Sequence, residues 1–555
     1  MTSHNFNLRR PIGACGIEGM FVQWGFVNRE SERKDTMRKK WSEASRRWEV
    51  NRVVIWGLAC SLAAAAAAWG ADRPQWGERH TRNGISDEKG LADRFDPATG
   101  ENIKWTAQLG SESWATPVVA NGRVFMGTNS DPPRDPRYTG DRGILLCIDE
   151  KDGKLVWQLM VSKLGPDQFL DWPRAGIVSA PSVEGDRVYA VSNRGEVMCL
   201  DINGQSNGND GPYKDEGVHM ALGNKGGPNV PPFEVTDTDA DIIWLFDVPN
   251  QAGTWPHDAA HSSILIDGDF LYVNTSNGLD NTHSRINRPD GPSLIVLDKN
   301  TGRYVARDDE GIGPRIFHNT WSSPAMGEVE GRRLVFFCGG DGVVYAFEAL
   351  KSAPAEGQVE KLKRVWRFDP DPNAPKENVH KYIRNREVSP SNIKGMPVFY
   401  KNRIYVAHGG DIWWGKNKAW LKCIDAAGSG DITGTGLVWS CELSEHCCST
   451  PSISGGLVFI TDCGRMIRCV DAETGEVYWT HEAKGDMWAS TLVADGKVYV
   501  GTQRNEFLIF AASKEKKLIS SIELDSGTAG TPVAANGVLY VASMHKLYAI
   551  EKSAK

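Results

Sequence analysis

The stretch Leu146-Cys-Ile-Asp-Glu-Lys-Asp-Gly-Lys-Leu-Val-Trp157 decides the fold, because the same sequence motif recurs along the 555 residues of the chain. Two further copies are Ile295-Val-Leu-Asp-Lys-Asn-Thr-Gly-Arg303 and Cys469-Val-Asp-Ala-Glu-Thr-Gly-Glu-Val-Tyr-Trp479. Each copy has an apolar strand that ends in Asp, a turn that contains Gly, and the start of another strand. A repeat of this kind predicts an architecture in which each unit buries its apolar face against its neighbours.

A Ser/Thr-Pro dipeptide, or its equivalent, recurs eight times, and this step of each repeat allows the eight repeats to be aligned. It falls at Pro117, Pro181, Ser263, Pro324, Pro397, Pro451, Thr491 and Pro532. Each step precedes an apolar strand, a turn such as Asn121-Gly122, and a second strand. Asn-Gly and Asp-Gly pairs accept positive φ, so these segments are predicted to be β-hairpins. Together with the two strands of the repeated phrase, each copy predicts a four-stranded blade.

The two ends of the repeat array complement each other. The eighth copy stops at Lys546-Leu-Tyr-Ala-Ile550 and lacks a fourth strand, whereas Asn102-Ile-Lys-Trp105 has the form of one. Pairing these segments would close a ring and remove exposed sheet edges. We therefore predict an all-β fold, an eight-bladed β-propeller of four-stranded antiparallel blades over residues 101–555, closed by the N-terminal strand and preceded by an N-terminal extension at 72–100.

The first 71 residues differ in composition from the repeats. Basic residues at 38–40, 46, 47 and 52 precede an apolar run from Val53 to Ala68, and the polar Asp72-Arg-Pro follows. This order is typical of a secretory signal peptide, and the excess length before it favours Met37 as the true start. The alternative is an uncleaved membrane anchor, since the run is near the ~18-residue lower limit for spanning. We expect a periplasmic or secreted protein that touches the membrane only in that alternative.

The charge balance excludes one class of partner. The chain has 63 Lys and Arg against 70 Asp and Glu, and the acidic excess lies beyond residue 71. Nucleic-acid binding needs a basic face, so we expect no nucleic-acid partner.

Four cysteines, Cys147, Cys199, Cys423 and Cys469, share one position of the repeat, which indicates buried core residues.

The Asp-x-x-Thr-Gly-x-x-x-Trp unit, as in Asp471 to Trp479, resembles the repeat of PQQ-like, or quinoprotein-type, β-propellers. That group includes PQQ-dependent alcohol dehydrogenases and the outer-membrane assembly lipoprotein of the β-barrel insertion machinery. The opening Trp76-Gly with Arg82-Asn-Gly-Ile-Ser86 is similar to secreted PQQ-like repeat proteins. The resemblance implies the fold over 101–555, but it says little about activity, because the repeat tryptophans pack blade against blade.

In such a propeller, the loops before each first strand and between the second and third strands are expected to share one face around the central channel. Their Trp, His and Arg residues suit a small planar or anionic ligand, through stacking and paired hydrogen bonds. The candidate binding residues are Trp114, Arg174, His257, His261, His318, Trp321, His408, Trp413, Trp414, His446, Cys447, Cys448 and Trp488. Plugging the channel neck is an alternative role for Trp114, Trp321 and Trp488. For His257, His318 and His408 the alternative is a hydrogen-bonded structural role.

The adjacent cysteines Cys447 and Cys448 leave several roles open. PQQ alcohol dehydrogenases carry a similar doublet against the cofactor, but the flanking Glu-His-Cys-Cys-Ser-Thr-Pro departs from that family's context, and its calcium ligands and catalytic Asp have no recognisable motif here. A metal site built from His446, Cys447, Cys448 and Cys463 is another alternative, although adjacent ligands suit a tetrahedral ion poorly. We assign no catalytic residue and no metal ligand, and the cofactor stays unknown, with PQQ and calcium as the candidate.

Three functions therefore remain open from the sequence. The first is a ligand- or protein-binding scaffold, since no phosphate loop, His-Glu-x-x-His or Gly-x-Ser-x-Gly motif occurs where it would act. The second is a PQQ- and calcium-dependent alcohol or sugar dehydrogenase. The third is an envelope-assembly scaffold, whose partner would be an envelope protein. We favour the first and expect a monomer.

Overall fold

The computed structural model describes residues 71–165, 168–223 and 230–553. These residues form eight antiparallel sheets that follow one another around a ring, so the predicted eight-bladed propeller is confirmed. The predicted signal peptide and its alternative, a membrane anchor, concern a segment outside the described residues, apart from residue 71. Within the described part of the chain, no helix has the length and apolar character needed to cross a membrane.

The strands follow the predicted register, with each blade beginning one or two residues after its step. Two strands precede the repeats: β1 (Ile85–Ser86) and β2 (Ile103–Gln108). Blades I and II contain β3 (Val118–Ala120), β4 (Arg123–Asn129), β5 (Arg142–Asp149), β6 (Leu155–Ser162), β7 (Ser182–Glu184), β8 (Arg187–Val191), β9 (Glu196–Asp201) and β10 (Ile242–Asp247). Blades III and IV contain β11 (Leu265–Asp267), β12 (Phe270–Asn274), β13 (Leu294–Asp298), β14 (Tyr304–Arg307), β15 (Ala325–Val329), β16 (Arg332–Cys338), β17 (Val344–Glu348), the accessory β18 (Glu360–Lys361) and β19 (Arg364–Phe368).

The second half of the ring repeats the same plan. Blades V and VI contain β20 (Val398–Tyr400), β21 (Arg403–Gly409), β22 (Ala419–Asp425), β24 (Leu437–Leu443), β25 (Ser452–Ser454), β26 (Leu457–Thr461), β27 (Met466–Asp471) and β28 (Val477–Glu482). The accessory β23 (Gly430–Asp431) lies between β22 and β24 in the chain but belongs to the sheet of blade IV. Blades VII and VIII contain β29 (Leu492–Ala494), β30 (Lys497–Gly501), β31 (Glu506–Ala511), β32 (Leu518–Glu523), β33 (Val533–Ala535), β34 (Val538–Ala542) and β35 (Lys546–Ile550).

Helical segments are few and short among the described residues. The α-helices are α1 (Glu216–Met220) and α2 (Val248–Gln251), and the single 3₁₀ turns are Gly204–Asn207, Gly313–Arg315 and Val379–Tyr382. The accessory strands β18, β23 and β1 add to β14, β19 and β29 in parallel pairing. These additions widen blades III, IV and VII to five strands.

The ring closes as the sequence predicts. Strand β2 pairs antiparallel with β35, with Trp105 opposite Ala549 and Gln108 opposite Lys546. Blade VIII therefore takes its outer strand from the start of the chain and its other three strands from the end. The closure leaves no blade with a missing strand.

Tryptophans on the fourth strands join each blade to the next. Trp157, for example, is fully buried, and its indole N–H donates to the carbonyl of Ile202 in blade II at 2.8 Å. The same bond to the following blade is made by Trp105, Trp244, Trp366, Trp439 and Trp479. Blades III and VII carry Ala306 and Ser520 at this position. The repeat tryptophans are therefore structural, because they fix the contact between neighbouring blades.

The N-terminal extension includes a strap, residues 73–86, that contacts the innermost strand region of every blade. Backbone N–H groups at the inner edges donate to it: those of Val119, Val183, Met326, Phe399, Ile453 and Val493. In blade III, Arg82 donates to the carbonyl of Ser263 at 2.8 Å. In blade VIII, the hydroxyl of Ser86 donates to the carbonyl of Ala534 at 3.0 Å. Because innermost strands line the channel of a propeller, the strap lies against the wall of that channel.

Candidate ligand-binding cavity

One register position of the repeat contributes residues from seven of the eight blades to a cavity at the centre of the ring. It lies three residues before each Ser/Thr-Pro step. The residues at this position that line the cavity are Trp114, Val178, Trp321, Lys394, Cys448, Trp488 and Ala529. In blade III the lining comes instead from Ala259 and His261, which flank the equivalent Ala260. All eight blades therefore contribute, and Trp76 of the strap adds to the lining.

The cavity has a volume of about 380 Å³ and is lined largely by aromatic rings. Along one wall, Trp114 lies 5.5 Å from Trp488, which lies 5.7 Å from Trp413, between ring centroids. Trp413 meets Trp321 edge to face at 5.8 Å, and Trp321 stacks on His261 at 6.0 Å. These contacts hold the rings at angles that present both faces and edges to the cavity.

A second group of aromatic lining residues comes from insertions between strands. Phe169 and Trp172, between β6 and β7, lie 6.0 Å apart, and the backbone of Asp258 pairs with both residues. The edge of His283 faces the Phe169 ring at 4.6 Å, and Trp414 lies 4.5 Å from His283. The insertions thus position aromatic groups that the repeat itself does not supply.

Lys394 is the only cationic residue other than histidine among the described residues that line the cavity. Its ammonium group lies 3.0 Å from Asp411, donates to Asn319 at 2.8 Å, and sits 4.3 Å from the centroid of the Trp321 ring. Burial disfavours ionisation of Asp411, but His318 and Lys394 together hold the pKa of its carboxyl well below the usual range. The lysine charge is therefore largely balanced before any ligand binds.

Three histidines converge at one side of the cavity. The Nε2 atom of His257 lies 3.2 Å from Nε2 of His283 and 3.1 Å from Nε2 of His318. His257, His283 and His318 are 0, 8 and 1% exposed, so water has little access to the point where they meet. Asp258 adds a carboxylate, whose oxygens lie 3.5 Å from His257 and 3.4 Å from His318.

The surroundings keep several cavity histidines neutral. Burial lowers the pKa of His257 well below its ordinary value, and the neighbouring His318 and His283 add to the effect. Burial likewise lowers the pKa of His283, and that of His261 to about 4. For Asp258, burial raises the carboxyl pKa, although His318 and Lys394 oppose it. At neutral pH these imidazoles are lone-pair donors, because the charged form is disfavoured in a low-dielectric site.

The structure brings together most of the sequence-predicted binding residues. Those that line the cavity are Trp114, His261, His318, Trp321, Trp413, Trp414, Cys448 and Trp488. His257 lies directly behind the lining, in contact with His283 and His318. Their shared location agrees with the expectation that these loops meet on one face, while ligand binding by them stays a prediction.

Four other predicted residues lie away from the cavity lining. Arg174 pairs with Glu112, and its side chain is 59% exposed. His408 is buried against Trp420, with 5.3 Å between ring centroids. Both ring nitrogens of His446 have oxygen partners, Gly410 at 2.8 Å and Asn417 at 3.2 Å. The fourth, Cys447, is buried behind the lining.

The adjacent cysteines are free thiols with different neighbours. Cys447 Sγ lies 3.2 Å from the carbonyl of Thr461, whereas Cys448 Sγ lies 3.9 Å from Cys463 Sγ. Burial raises the pKa of the Cys447 thiol to about 12. Both nitrogens of His446 are engaged, and among the described residues His446, Cys447, Cys448 and Cys463 do not form a group close enough to share an ion, so the alternative metal site gains no support from this geometry.

Several cavity residues were not among the sequence-predicted candidates: Trp76, Phe169, Trp172, Asp258, His283 and Lys394. Lys394 occupies the same register position as Trp114 and Trp488, so the alignment of repeats held a signal for it. Asp258 adjoins the predicted His257. Phe169, Trp172 and His283 lie in insertions, where no periodic pattern marks them.

Comparison with known proteins gives one family and a common fold. The family model described as "Outer membrane protein assembly factor BamB" matches residues 64–206, 94–303 and 363–513. A europium-containing methanol dehydrogenase is 12% identical, with 86% of this chain and 90% of that chain covered and a TM-score of 0.52. The quinohemoprotein alcohol dehydrogenase ADHIIG from Pseudomonas putida HK5 is 11% identical, with coverage of 87% and 81% and a TM-score of 0.52.

A third solved structure, BamB from Moraxella catarrhalis, is 13% identical, covers 80% of this chain and 96% of that chain, and has a TM-score of 0.45. No curated protein matches the chain. At these identities the structural matches show the fold alone. The family model spans well over half of the sequence, and the chain accordingly belongs to the PQQ-like β-propeller family that the BamB assembly-factor model describes.

Proposed function

We propose that this protein is a binding protein whose central cavity takes a small, planar or ring-shaped organic ligand. The observation that carries the proposal is the cavity itself, about 380 Å³ in volume and lined by the indole rings of seven tryptophans. Cavities of about 300–1,000 Å³ with apolar walls and a few polar groups are typical small-molecule sites. Stacking on indole faces would supply most of the affinity.

Polar groups in the cavity would orient such a ligand. Lys394 offers a buried ammonium group and Asp258 a carboxylate. Within the described part of the chain, the buried indole N–H of Trp321 has no hydrogen-bond partner, so a ligand oxygen would satisfy it. Because Lys394 is already paired with Asp411 and Arg174 points elsewhere, we expect at most one anionic group on the ligand.

The cavity fits PQQ with calcium poorly. PQQ is a planar quinone with three carboxylates, whereas the described lining holds one non-histidine cation, Lys394, already balanced by Asp411. Calcium takes six to eight oxygen ligands, yet among the described residues the donors that converge here are three imidazole nitrogens and the carboxylate of Asp258, while the carboxylate of Asp411 is engaged by His318 and Lys394. The donor chemistry thus disfavours the dehydrogenase alternative relative to a binding role.

Titration of the full chain tests the proposal. Isothermal calorimetry against PQQ, aromatic monocarboxylates and simple sugars should find saturable binding for at least one class. Trp321→Ala and Trp488→Ala should each weaken it about tenfold, since a stacked ring contributes roughly 1 kcal/mol beyond its buried area. Trp420→Phe, away from the cavity against His408, is the matched control. Equal affinity in the wild type and both alanine variants would refute binding at this site.

The family match supports a second candidate, an envelope-assembly scaffold, because the matching model describes an outer membrane assembly factor. The partner would then be an envelope protein held by blade loops or exposed strand edges. Crosslinking in the native host, followed by purification of the full chain, should recover an envelope protein. If no envelope protein is recovered and the small-ligand titration is positive, the assembly-scaffold candidate is refuted and the small-ligand binding protein is the function that stands.

Export from the cytoplasm belongs to both candidates. The basic residues 38–40, followed by the apolar run from Val53 to Ala68, support a signal peptide. Cell fractionation should place the protein outside the cytoplasmic compartment, and N-terminal sequencing of that fraction would show whether cleavage occurs near residue 71. Recovery from the cytoplasm alone would contradict export.

A further inference from the structure

Three imidazoles meet in a way that ordinary hydrogen bonding does not explain. His257 Nδ1 lies 2.9 Å from the carbonyl of Leu279, and a carbonyl only accepts, so this nitrogen carries the ring proton. His318 Nδ1 lies 3.0 Å from a carboxylate oxygen of Asp411 and is protonated for the same reason. In the neutral tautomers, both Nε2 atoms then carry lone pairs, which face each other at 3.1 Å, and that of His318 also accepts the indole N–H of Trp414.

Two facing lone pairs repel, so this arrangement calls for a cation between them. His283 directs a third Nε2 to within 3.2 Å of His257, and its ring is hydrogen-bonded to the backbone of Asn281. Metal-bound histidines characteristically donate their other N–H to a carbonyl or carboxylate, which fixes the tautomer and the ring orientation. Leu279, Asn281 and Asp411 supply such partners.

The distances suit a small divalent ion. Zn–N bonds of about 2.0–2.1 Å in a tetrahedral shell place the ligand nitrogens about 3.4 Å apart. Two of the three separations, 3.2 Å and 3.1 Å from His257 Nε2, differ from that by a few tenths of an ångström, and the ligand atoms of His283 and His318 lie within 4.8 Å, so these two rings would draw together on the ion. Asp258, with oxygens 3.5 and 3.4 Å from His257 and His318, is placed to supply a fourth ligand.

We propose that His257, His283, His318 and Asp258 form a binding site for a divalent transition-metal ion of the zinc class at the wall of the central cavity. Imidazole with one carboxylate suits zinc, cobalt, iron or copper, and is unlike the all-oxygen shell that calcium prefers. The site is independent of which organic ligand the cavity takes. It extends the proposed function by giving the cavity a Lewis-acidic wall beside its aromatic ones.

One contact has to change when the metal binds. The indole N–H of Trp414 lies 3.1 Å from Nε2 of His318, the nitrogen that would coordinate the ion. Trp414 must therefore release that nitrogen, and its ring also lies 4.5 Å from that of His283, tilted by 43°. Metal binding should accordingly alter the fluorescence of this tryptophan, which provides a readout inside the cavity.

Metal binding to the full chain, purified without a histidine tag and stripped with a chelator, tests the site. We expect one equivalent of Zn²⁺ by calorimetry, and with Co²⁺ the intense visible absorption of a tetrahedral nitrogen and oxygen shell. His283→Gln and Asp258→Asn are the primary variants, because both residues are less buried than His257 and His318 and should tolerate substitution more readily. Removal of His283 should weaken Zn²⁺ binding at least 100-fold.

His261→Gln is the matched control, since His261 lines the same cavity but lies outside the three-histidine cluster. Circular dichroism of each variant verifies the fold. The proposal is overturned if the wild type binds neither ion, if His283→Gln binds Zn²⁺ as tightly as His261→Gln does, or if bound Co²⁺ shows only the weak absorption of an octahedral hydrated ion. Failure of the organic-ligand titration with retained metal binding would refute the proposed function and leave this site standing.

Discussion

At the scale of single residues, burial decides what each polar group does. His408 is 1% exposed, stacks on Trp420, and has no hydrogen-bond partner on either ring nitrogen within the described part of the chain. Burial lowers the pKa of His408 to about 3, with Lys422 and Lys416 acting in the same direction and Asp371 opposing them. The residue is therefore neutral in the folded protein over the whole physiological range.

This neutrality predicts loss of stability in mild acid. The pKa of His408 is about 6.5 when unfolded and about 3 when folded, so between these pH values the unfolded state binds more protons. The free energy of unfolding then falls as the pH falls from about 6.5 towards 3. His408→Phe keeps the stacked ring but cannot be protonated, and it should reduce the stability lost between pH 7 and pH 4 by about 3 kcal/mol. Urea unfolding at both pH values measures the difference.

A substitution in the same strand controls for general destabilisation. Ile404→Val in β21 removes one buried methylene and should cost about 1 kcal/mol. That cost should be the same at pH 7 and pH 4, since no titrating group is changed. An acid-induced loss in His408→Phe equal to that of the wild type would contradict the role assigned to His408.

At the scale of the element, the turn between the third and fourth strands explains the repeated Thr-Gly. Gly475 has φ of +79°, and a Cβ there would lie 2.8 Å from the ring of Trp439 of the preceding blade. Gly153 and Gly302 stand in the same relation to Trp105 and Trp244. Glycine is required at these positions for two reasons, the left-handed backbone and the ring packed directly against it.

Gly475→Ala should therefore destabilise the fold more than an ordinary turn substitution. A left-handed conformation costs a non-glycine residue roughly 1–2 kcal/mol, and displacement of Trp439 should raise the total to about 3 kcal/mol. Gly496→Ala is the matched control: its φ is +68°, but a Cβ there meets no atom within 4 Å. It should cost only about 1 kcal/mol. Equal losses in thermal unfolding would show that the contact with Trp439 contributes nothing.

The strands were predictable because each blade repeats the same order of Ser/Thr-Pro step, apolar strands and glycine-containing turns. The step at Pro451 comes directly before β25, and the Asn121-Gly122 turn joins β3 to β4. The candidate site was predictable where it obeys the same register, as at Trp114, Trp321 and Trp488. His283 was not, because it lies in an insertion, and its partners His257 and His318 are 26 and 35 residues away in the chain. Proximity of that kind is produced by the ring, and no local pattern encodes it.

At the scale of the whole molecule, closure depends on two segments that precede the repeats. Strand β2 completes blade VIII, which the pairing of repeat ends predicted. The strap at 73–86 was predicted only as an extension, because its irregular backbone has neither strand nor helix periodicity. Yet its hydrogen bonds reach blades as distant in sequence as Ser263 and Ala534. The strap thus links the inner edges of the ring independently of the contacts between neighbouring blades.

Arg82 is the main anchor of this strap. Its fully buried guanidinium donates to the carbonyls of Pro324, Ser263 and Trp76 and to the hydroxyl of Ser263. Burial lowers the pKa of Arg82 to about 9, so the group still carries its charge at neutral pH. Arg82→Ala would leave these buried oxygens without a donor, and we expect it to lower the free energy of unfolding by about 3 kcal/mol.

The pattern of the loss distinguishes a ring-wide strap from a local contact. If the strap acts as one unit, Arg82→Ala should speed amide hydrogen exchange at the inner strands of all eight blades, including Val183 and Val493, which lie far from Ser263 in sequence. Arg79→Ala, which removes an exposed ion pair with Glu184, is the control and should change stability by less than about 0.5 kcal/mol. Faster exchange confined to blades III and IV would mean that Arg82 only joins those two blades. In that case Trp76, which lines the cavity, would keep its position without the rest of the strap.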